Sequence, residues 1–136
     1  MNINGVAETA IYVEDVARSA EFYQSLFGLR RVLGDQEFCA LEVPGRAVFL
    51  LFKKGSRQEP FATPGGLIPP HEGSGRMHFA FKISRDGLAA CERELRDRGI
   101  DIESRVEWPR GGTSLYFRDP DGHLVELITP GCWEVY

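Results

Sequence analysis

Apolar and polar positions fall into an order that repeats once along the chain. From Val6 to Val13, Thr9, Ile11 and Val13 lie on one side of an extended segment, and Glu8, Ala10 and Tyr12 on the other. Between Val16 and Phe27 the period changes. Ala20, Tyr23 and Phe27 recur at helical spacing, and Val16, Ala17 and Phe22 widen the stripe. Asp15 is placed to cap this helix and Gly28 to end it. Three short strand-like runs follow, Leu29 to Leu33, Glu37 to Val43 and Arg46 to Phe52, separated by turn residues at Gly34-Asp35 and Pro44-Gly45.

The second half reads the same way. In the run from His78 to Ile83, Phe79, Phe81 and Ile83 take one face and His78, Ala80 and Lys82 the other. A helix is expected from Asp86 to Arg98, with Leu88, Cys91 and Leu95 on its stripe and Gly99 ending it. Strands follow from Asp101 to Glu107, Thr113 to Arg118 and His123 to Thr129, and Asp119-Pro120-Asp121-Gly122 signals a hairpin turn. The Pro- and Gly-rich stretch from 53 to 75 reads as a long irregular connection, either a simple crossing or a functional lid.

The order strand, helix, strand, strand, strand, twice, predicts an α+β domain over residues 1–136 built of two tandem βαβββ modules. Module one spans about 5–53, the connecting loop 54–75 and module two 76–130. Each sheet is expected to bury its apolar face against its own helix. The opposite, concave faces would together form a half-barrel cleft lined by Glu8, Ala10, Tyr12, His78, Ala80 and Lys82. Aligning the two first strands sets Glu8 opposite His78.

The last strand raises a chemical question. Leu124, Glu126 and Ile128 share one face, and an unpaired carboxylate facing a core is costly. On the cleft side, Glu126 joins Glu8 and His78. Two carboxylates and an imidazole can hold a divalent cation and leave positions open for water or substrate. Oxygen-rich ligation favours Mn or Fe, with Zn, Ni and Co also open. The alternative is a set of internal pairs: Glu8 with Lys82 or Arg76, Glu126 with Arg118 or Arg110, and His78 satisfied in the interior.

Composition narrows the classes. With 43% hydrophobic and 26% charged residues, the 136-residue chain has the balance of a folded domain and not a disordered one. A net charge of −4 without a basic block argues against nucleic acid as a partner. No apolar run suits a membrane span, and no charged opening segment leads into an apolar one, so a cytoplasmic location is expected. Cys39, Cys91 and Cys132 are odd in number and unpaired in spacing, which suits free thiols. Gly65-Gly66 and Gly73-Ser74-Gly75 lack the spacing of a nucleotide loop.

The runs Ile11 to Asp15, Ser19 to Tyr23 and Leu26 to Leu29, with the closing run Ser114 to Leu127, resemble the vicinal oxygen chelate superfamily (glyoxalase, bleomycin resistance protein, extradiol dioxygenase) over roughly residues 5–130. The resemblance implies paired βαβββ modules, a homodimer, and metal ligands at the positions of Glu8, His78 and Glu126. It implies chelation of a small vicinally oxygenated substrate, with an oxyanion or enolate stabilised and Glu8 or Glu126 serving as base. Lyase, isomerase, thiol transferase and dioxygenase chemistry all occur among relatives of this kind. The chain departs from the pattern in three places. Glu8 stands where relatives often have His or Gln. The stretch Ala47 to Leu51 offers no fourth, carboxylate ligand of the glyoxalase I type. Ala10 stands where the thiol transferases carry a hydroxyl. The rival reading within the resemblance is a metal-free protein of the bleomycin-resistance kind that sequesters a drug or other small molecule.

Further candidates follow. Tyr116 is a candidate catalytic residue facing the cleft. Tyr12, Lys82 and Arg110 are candidates for substrate binding, Arg110 because a guanidinium matches carboxylate or phosphonate geometry, an exposed turn arginine being the alternative. His71 would act as an acid-base group if the loop folds over the cleft. His123, in the hairpin turn, is read as structural.

Overall fold

The computed structural model describes residues 2–136. The chain divides into two compact units, one ending at Gly75 and the other beginning at Arg76. The first holds β1 (Glu8–Val13), α1 (Val16–Phe27), β2 (Arg30–Gly34), β3 (Phe38–Val43) and β4 (Ala47–Lys53), then β5 (Phe61–Thr63) and β6 (Gly66–Ile68). The second holds β7 (His78–Lys82), α2 (Leu88–Asp97), β8 (Ser104–Glu107), β9 (Thr113–Arg118) and β10 (Leu124–Ile128). The sheet orders are β1-β4-β3-β2 and β7-β10-β9-β8, so the α+β modules repeat one βαβββ topology. In each, the first strand runs parallel to the last, as the helical crossover after it requires, and the other pairs are antiparallel hairpins.

Local chemistry sets the ends of α1. The Asp15 side chain accepts the Arg18 N–H at 2.9 Å, satisfying an orphan donor of the first turn. Gly28 sits at φ 67°, left-handed backbone that favours glycine, and its N–H returns to the Gln24 carbonyl. Period two then sorts the sheet. Ile11, Val13, Cys39, Leu41, Phe49 and Leu51 are buried on the face that takes Val16, Ala20 and Tyr23 of the helix. Tyr23 meets Phe49 edge-on, with ring centroids 4.9 Å apart.

The second module is packed more loosely around its helix. Leu115, Phe117, Val125 and Leu127 are buried in the sheet, but of the expected stripe on α2 Leu95 alone is fully buried, and Leu88 and Cys91 are half-buried. Phe79 and Phe81 are likewise half-buried. The helix starts at Leu88 and not at Asp86, because the Ser84 hydroxyl takes the Gly87 N–H in a turn. The hairpin at Asp119 forms as expected: its carboxylate accepts the N–H groups of Asp121 and His123. His123 is buried and its Nδ1 accepts the Met77 N–H, a structural role.

The stretch 53–75 is not the irregular connection expected. It carries the hairpin β5–β6, turned at Thr63-Pro64-Gly65-Gly66, with strands of three residues each, too short for period two to register. Its neck is pinned where the His71 N–H meets the Arg57 carbonyl at 2.9 Å and Gln58 bonds Glu72. Among the described residues no helix is long and apolar enough to cross a membrane.

Candidate functional site

Register assigns the residues of each inner face. In module two, Glu126 lies between Ala80 of β7 and Tyr116 of β9; Leu124 lies beside His78, and Ile128 between Lys82 and Ser114. His78, Tyr116, Glu126 and Ser114 therefore project to one side of the sheet, opposite the core residues Val125 and Leu127.

Glu126 is buried, and its two oxygens have different surroundings. Oε1 accepts from the Ser114 hydroxyl at 2.5 Å and the Tyr116 hydroxyl at 3.0 Å. The indole N–H of Trp108 donates to the Ser114 oxygen at 2.8 Å, which orients the serine proton toward the carboxylate. Burial is the main cause that raises the Tyr116 pKa, against a lowering bond with Ser114, so the phenol stays a donor. Oε2 is left to His78, whose Nε2 lies 3.3 Å away. The backbone makes a close approach beside this cluster. A Cβ on Gly112 would sit 2.5 Å from the Cys132 backbone nitrogen and 2.6 Å from its sulfur, and the Cys132 sulfur lies 3.8 Å from the Ser114 hydroxyl.

The His78 ring carries more information. Its Nδ1 lies 3.2 Å from the Leu124 carbonyl, which can only accept, so Nδ1 bears a proton. In the neutral ring Nε2 is then a bare lone pair facing a carboxylate oxygen. Two acceptors at that separation call for a shared cation, either a second ring proton or a metal ion. Two ligands of one octahedral ion at about 2.1 Å are about 3 Å apart, so the pair fits the spacing. A backbone carbonyl on the far ring nitrogen is also the usual support of a metal-ligating histidine.

Module one presents a different inner face. Glu8, Ala10 and Tyr12 lie beside Val48, Leu50 and Phe52. They line a pocket of about 700 Å³ with Leu33, Phe38, Arg57, Phe61, Ile68 and His71 among its other walls. The 57–71 excursion thus closes one side of the pocket, and the Tyr12 hydroxyl bonds His71 Nδ1 at 2.6 Å. Burial, then the charge of Glu72, raises the Tyr12 pKa, so its phenol keeps its proton.

The expected residues thus separate into groups. His78, Glu126 and Tyr116 come together in module two; Glu8, Tyr12 and His71 line the pocket of module one. Among the described residues no three His, Cys, Asp or Glu side chains form one cluster. The internal pairs expected as the alternative do not form for Glu126: Arg118 bonds Glu103 and Arg110 bonds Glu134. Nor is His78 interior, its side chain being 51% exposed. Arg110 is exposed, and its Nη2 donates to Glu134 at 2.7 Å. Lys82 places its ammonium over the Tyr136 ring, 4.9 Å from the centroid, which draws it to a cation–π contact.

Sequence reading missed Ser114, Trp108 and Arg57. Period two from Tyr116 does place Ser114 on the same face. Nothing marks Trp108, and Arg57 between Ser56 and Gln58 reads as a surface residue.

Comparison with known proteins agrees with this frame. The pattern that defines the glyoxalase/bleomycin resistance protein/dioxygenase superfamily matches residues 5–127, and the chain belongs to that family. A metallothiol transferase FosB from Bacillus licheniformis is 28% identical over 131 residues, covering 93% of this chain and 76% of the transferase. A biphenyl-2,3-diol 1,2-dioxygenase from Rhodococcus globerulus is 45% identical over 71 residues, 49% of this chain, and the match spans only 36% of that enzyme. The crystal structure of a lactoylglutathione lyase from Agrobacterium tumefaciens superimposes with a TM-score of 0.89 at 29% identity, over 98% of this chain and 99% of the lyase.

Proposed function

We propose that this chain is a divalent-metal-dependent enzyme acting on a small, vicinally oxygenated substrate. His78 and Glu126 are assigned as ligands. The observation that carries the reading is His78 Nε2 facing the unshared Oε2 of Glu126 at 3.3 Å. Ser114, itself held by the Trp108 N–H, and Tyr116 saturate the other carboxylate oxygen and so aim Oε2 at the ring nitrogen. Bound there, the ion would polarise adjacent substrate oxygens and offset negative charge developing on them.

The chain's own groups divide the remaining work. Glu126 is too firmly held to move, so Glu8, exposed at the start of β1, is the better base. Tyr116 supplies a phenol that keeps its proton beside the carboxylate. The relatives named above are a thiol transferase, a dioxygenase and a lyase, so the reaction is assigned at the level of the superfamily and not of one activity. Leu50 stands in β4 where a carboxylate would be needed for a glyoxalase I ligand set, which disfavours that activity.

The test is elemental analysis of the purified protein beside His78→Ala and Glu126→Ala. Near-stoichiometric Mn, Fe, Co, Ni or Zn in the wild type, lost in both variants whose fold is intact, is expected. Absence of metal after incubation with each ion would overturn the reading. It would favour metal-free sequestration of a small molecule, a second reading for which the largely apolar pocket of module one speaks.

A further inference from the structure

The pocket of module one contains one feature that its apolar walls do not explain. Arg57 is only 7% exposed, yet it lines the pocket with Phe38, Leu50, Phe52 and Phe61. Its guanidinium carbon lies over two rings, 5.4 Å from the Phe52 centroid and 4.7 Å from that of Phe61. Both contacts hold the cation against the pocket wall. Only Nη1 is bonded: it donates to the Ser56 carbonyl at 2.9 Å and to Glu37 Oε2 at 3.3 Å. Glu37 is 57% exposed and reaches the arginine through that single long contact, so solvent screens much of its charge.

Nε and Nη2 make no hydrogen bond to any described residue. Neither is sealed from solvent, because Ser56 Oγ is the one buried, unpartnered side-chain polar atom among the described residues. A nearly buried cation with an unused donor edge is costly unless acceptors reach it. The Nε/Nη2 edge presents two parallel N–H groups, the geometry that matches two oxygens of one carboxylate or phosphonate. Two other carboxylates border the pocket, Glu8 and Asp35; Asp35 already accepts the Glu37 N–H at 2.8 Å. His71 adds its Nε2, since Tyr12 occupies its Nδ1.

We propose that this pocket selects a small oxyanion with an apolar body: its carboxylate or phosphonate docks on the Nε/Nη2 edge of Arg57, and its body lies against Phe38, Leu50 and Phe52. The inference rests on the inner face of module one being a substrate wall, as in the proposed function, but not on the metal.

The test is calorimetric titration of the whole protein, as purified and after chelator treatment, with 2-naphthoate, 2-naphthylphosphonate and the neutral 2-naphthamide. At least one anion should bind about tenfold tighter than the amide, and the preferred anion identifies the headgroup. Arg57→Lys keeps the charge but loses the paired edge; it should weaken the anion about tenfold and leave the amide unchanged. Glu37→Gln removes the competing carboxylate and should tighten the anion about threefold, a gain that a damaged fold would not produce. Equal affinity for anions and amide, or an anion affinity indifferent to both substitutions, overturns the proposal. Anion binding that persists in a protein without metal would leave this inference standing while the metal reading falls. A stoichiometric metal with no preference for anions would do the reverse.

Discussion

The two modules share a backbone plan and differ at matched positions of their inner faces. At the centre of module one, Leu50 lies between Ala10 and Ala40. At the centre of module two, Glu126 lies between Ala80 and Tyr116. Leucine and alanines leave an apolar wall, and the excursion 57–71 builds a pocket on it. Glutamate and tyrosine, with Ser114 and Trp108 behind them, make a hydrogen-bonded cluster that presents one carboxylate oxygen to His78. The repeated topology supplies equivalent mounting points, and the side chains at a few register positions separate an apolar wall from a hydrogen-bonded polar cluster.

The cores differ in the same sense, and the largest expected effect tests that. Phe49→Ala in module one removes a buried ring packed on Tyr23 and should cost about 3–5 kcal/mol in chemical denaturation. Phe81→Ala, at a half-buried ring of module two, should cost less than half as much. Equal losses would mean that the loose packing around α2 has no energetic counterpart.

Ser114→Ala sharpens the polar side of the comparison. It removes one of two donors to Glu126 Oε1 and strands the Trp108 N–H, for about 1–3 kcal/mol of stability. If the metal reading holds, affinity for the ion should fall at least about tenfold, because the carboxylate loses its aim. Unchanged affinity in a folded variant would show that Tyr116 alone orients Glu126.

Tyr12→Phe does the corresponding thing to module one. Losing the bond to His71 should cost about 1 kcal/mol. The Tyr12 pKa is raised in the fold, so its contribution is present below the usual phenol range and lost as pH rises through the higher native value. The wild type should therefore lose stability more steeply than Tyr12→Phe in alkaline melts, and parallel curves would contradict the assignment.

The smallest effect is acidic. The Arg118 guanidinium bonds both Glu103 oxygens and holds that carboxyl below its usual range. Its contribution is present above the unfolded pKa and disappears as pH falls through the lower native value. Glu103→Gln should flatten the acid limb of the stability profile slightly, at low salt more than at high salt, in melts followed by circular dichroism.

Period two and period 3.6 identified both βαβββ units, the helix stops and the inward face of each first strand, because burial imposes those periods wherever a sheet meets a helix. The same alternation put His78 on the polar face of its strand, and a carboxylate such as Glu126 within an apolar strand is conspicuous in any sequence, whereas Tyr116 came from the resemblance. The three-residue strands β5 and β6 were illegible because they are shorter than the pattern that reveals strands. What only the tertiary structure decided are the partnerships that depend on distance across the fold. Trp108 supports Ser114, Glu134 pairs with Arg110, and Phe52 and Phe61 lie against Arg57. Local sequence sets which face a side chain takes; which atoms lie within hydrogen-bond reach is set by register and loop closure, and these emerge only when the sheets and the excursion are assembled.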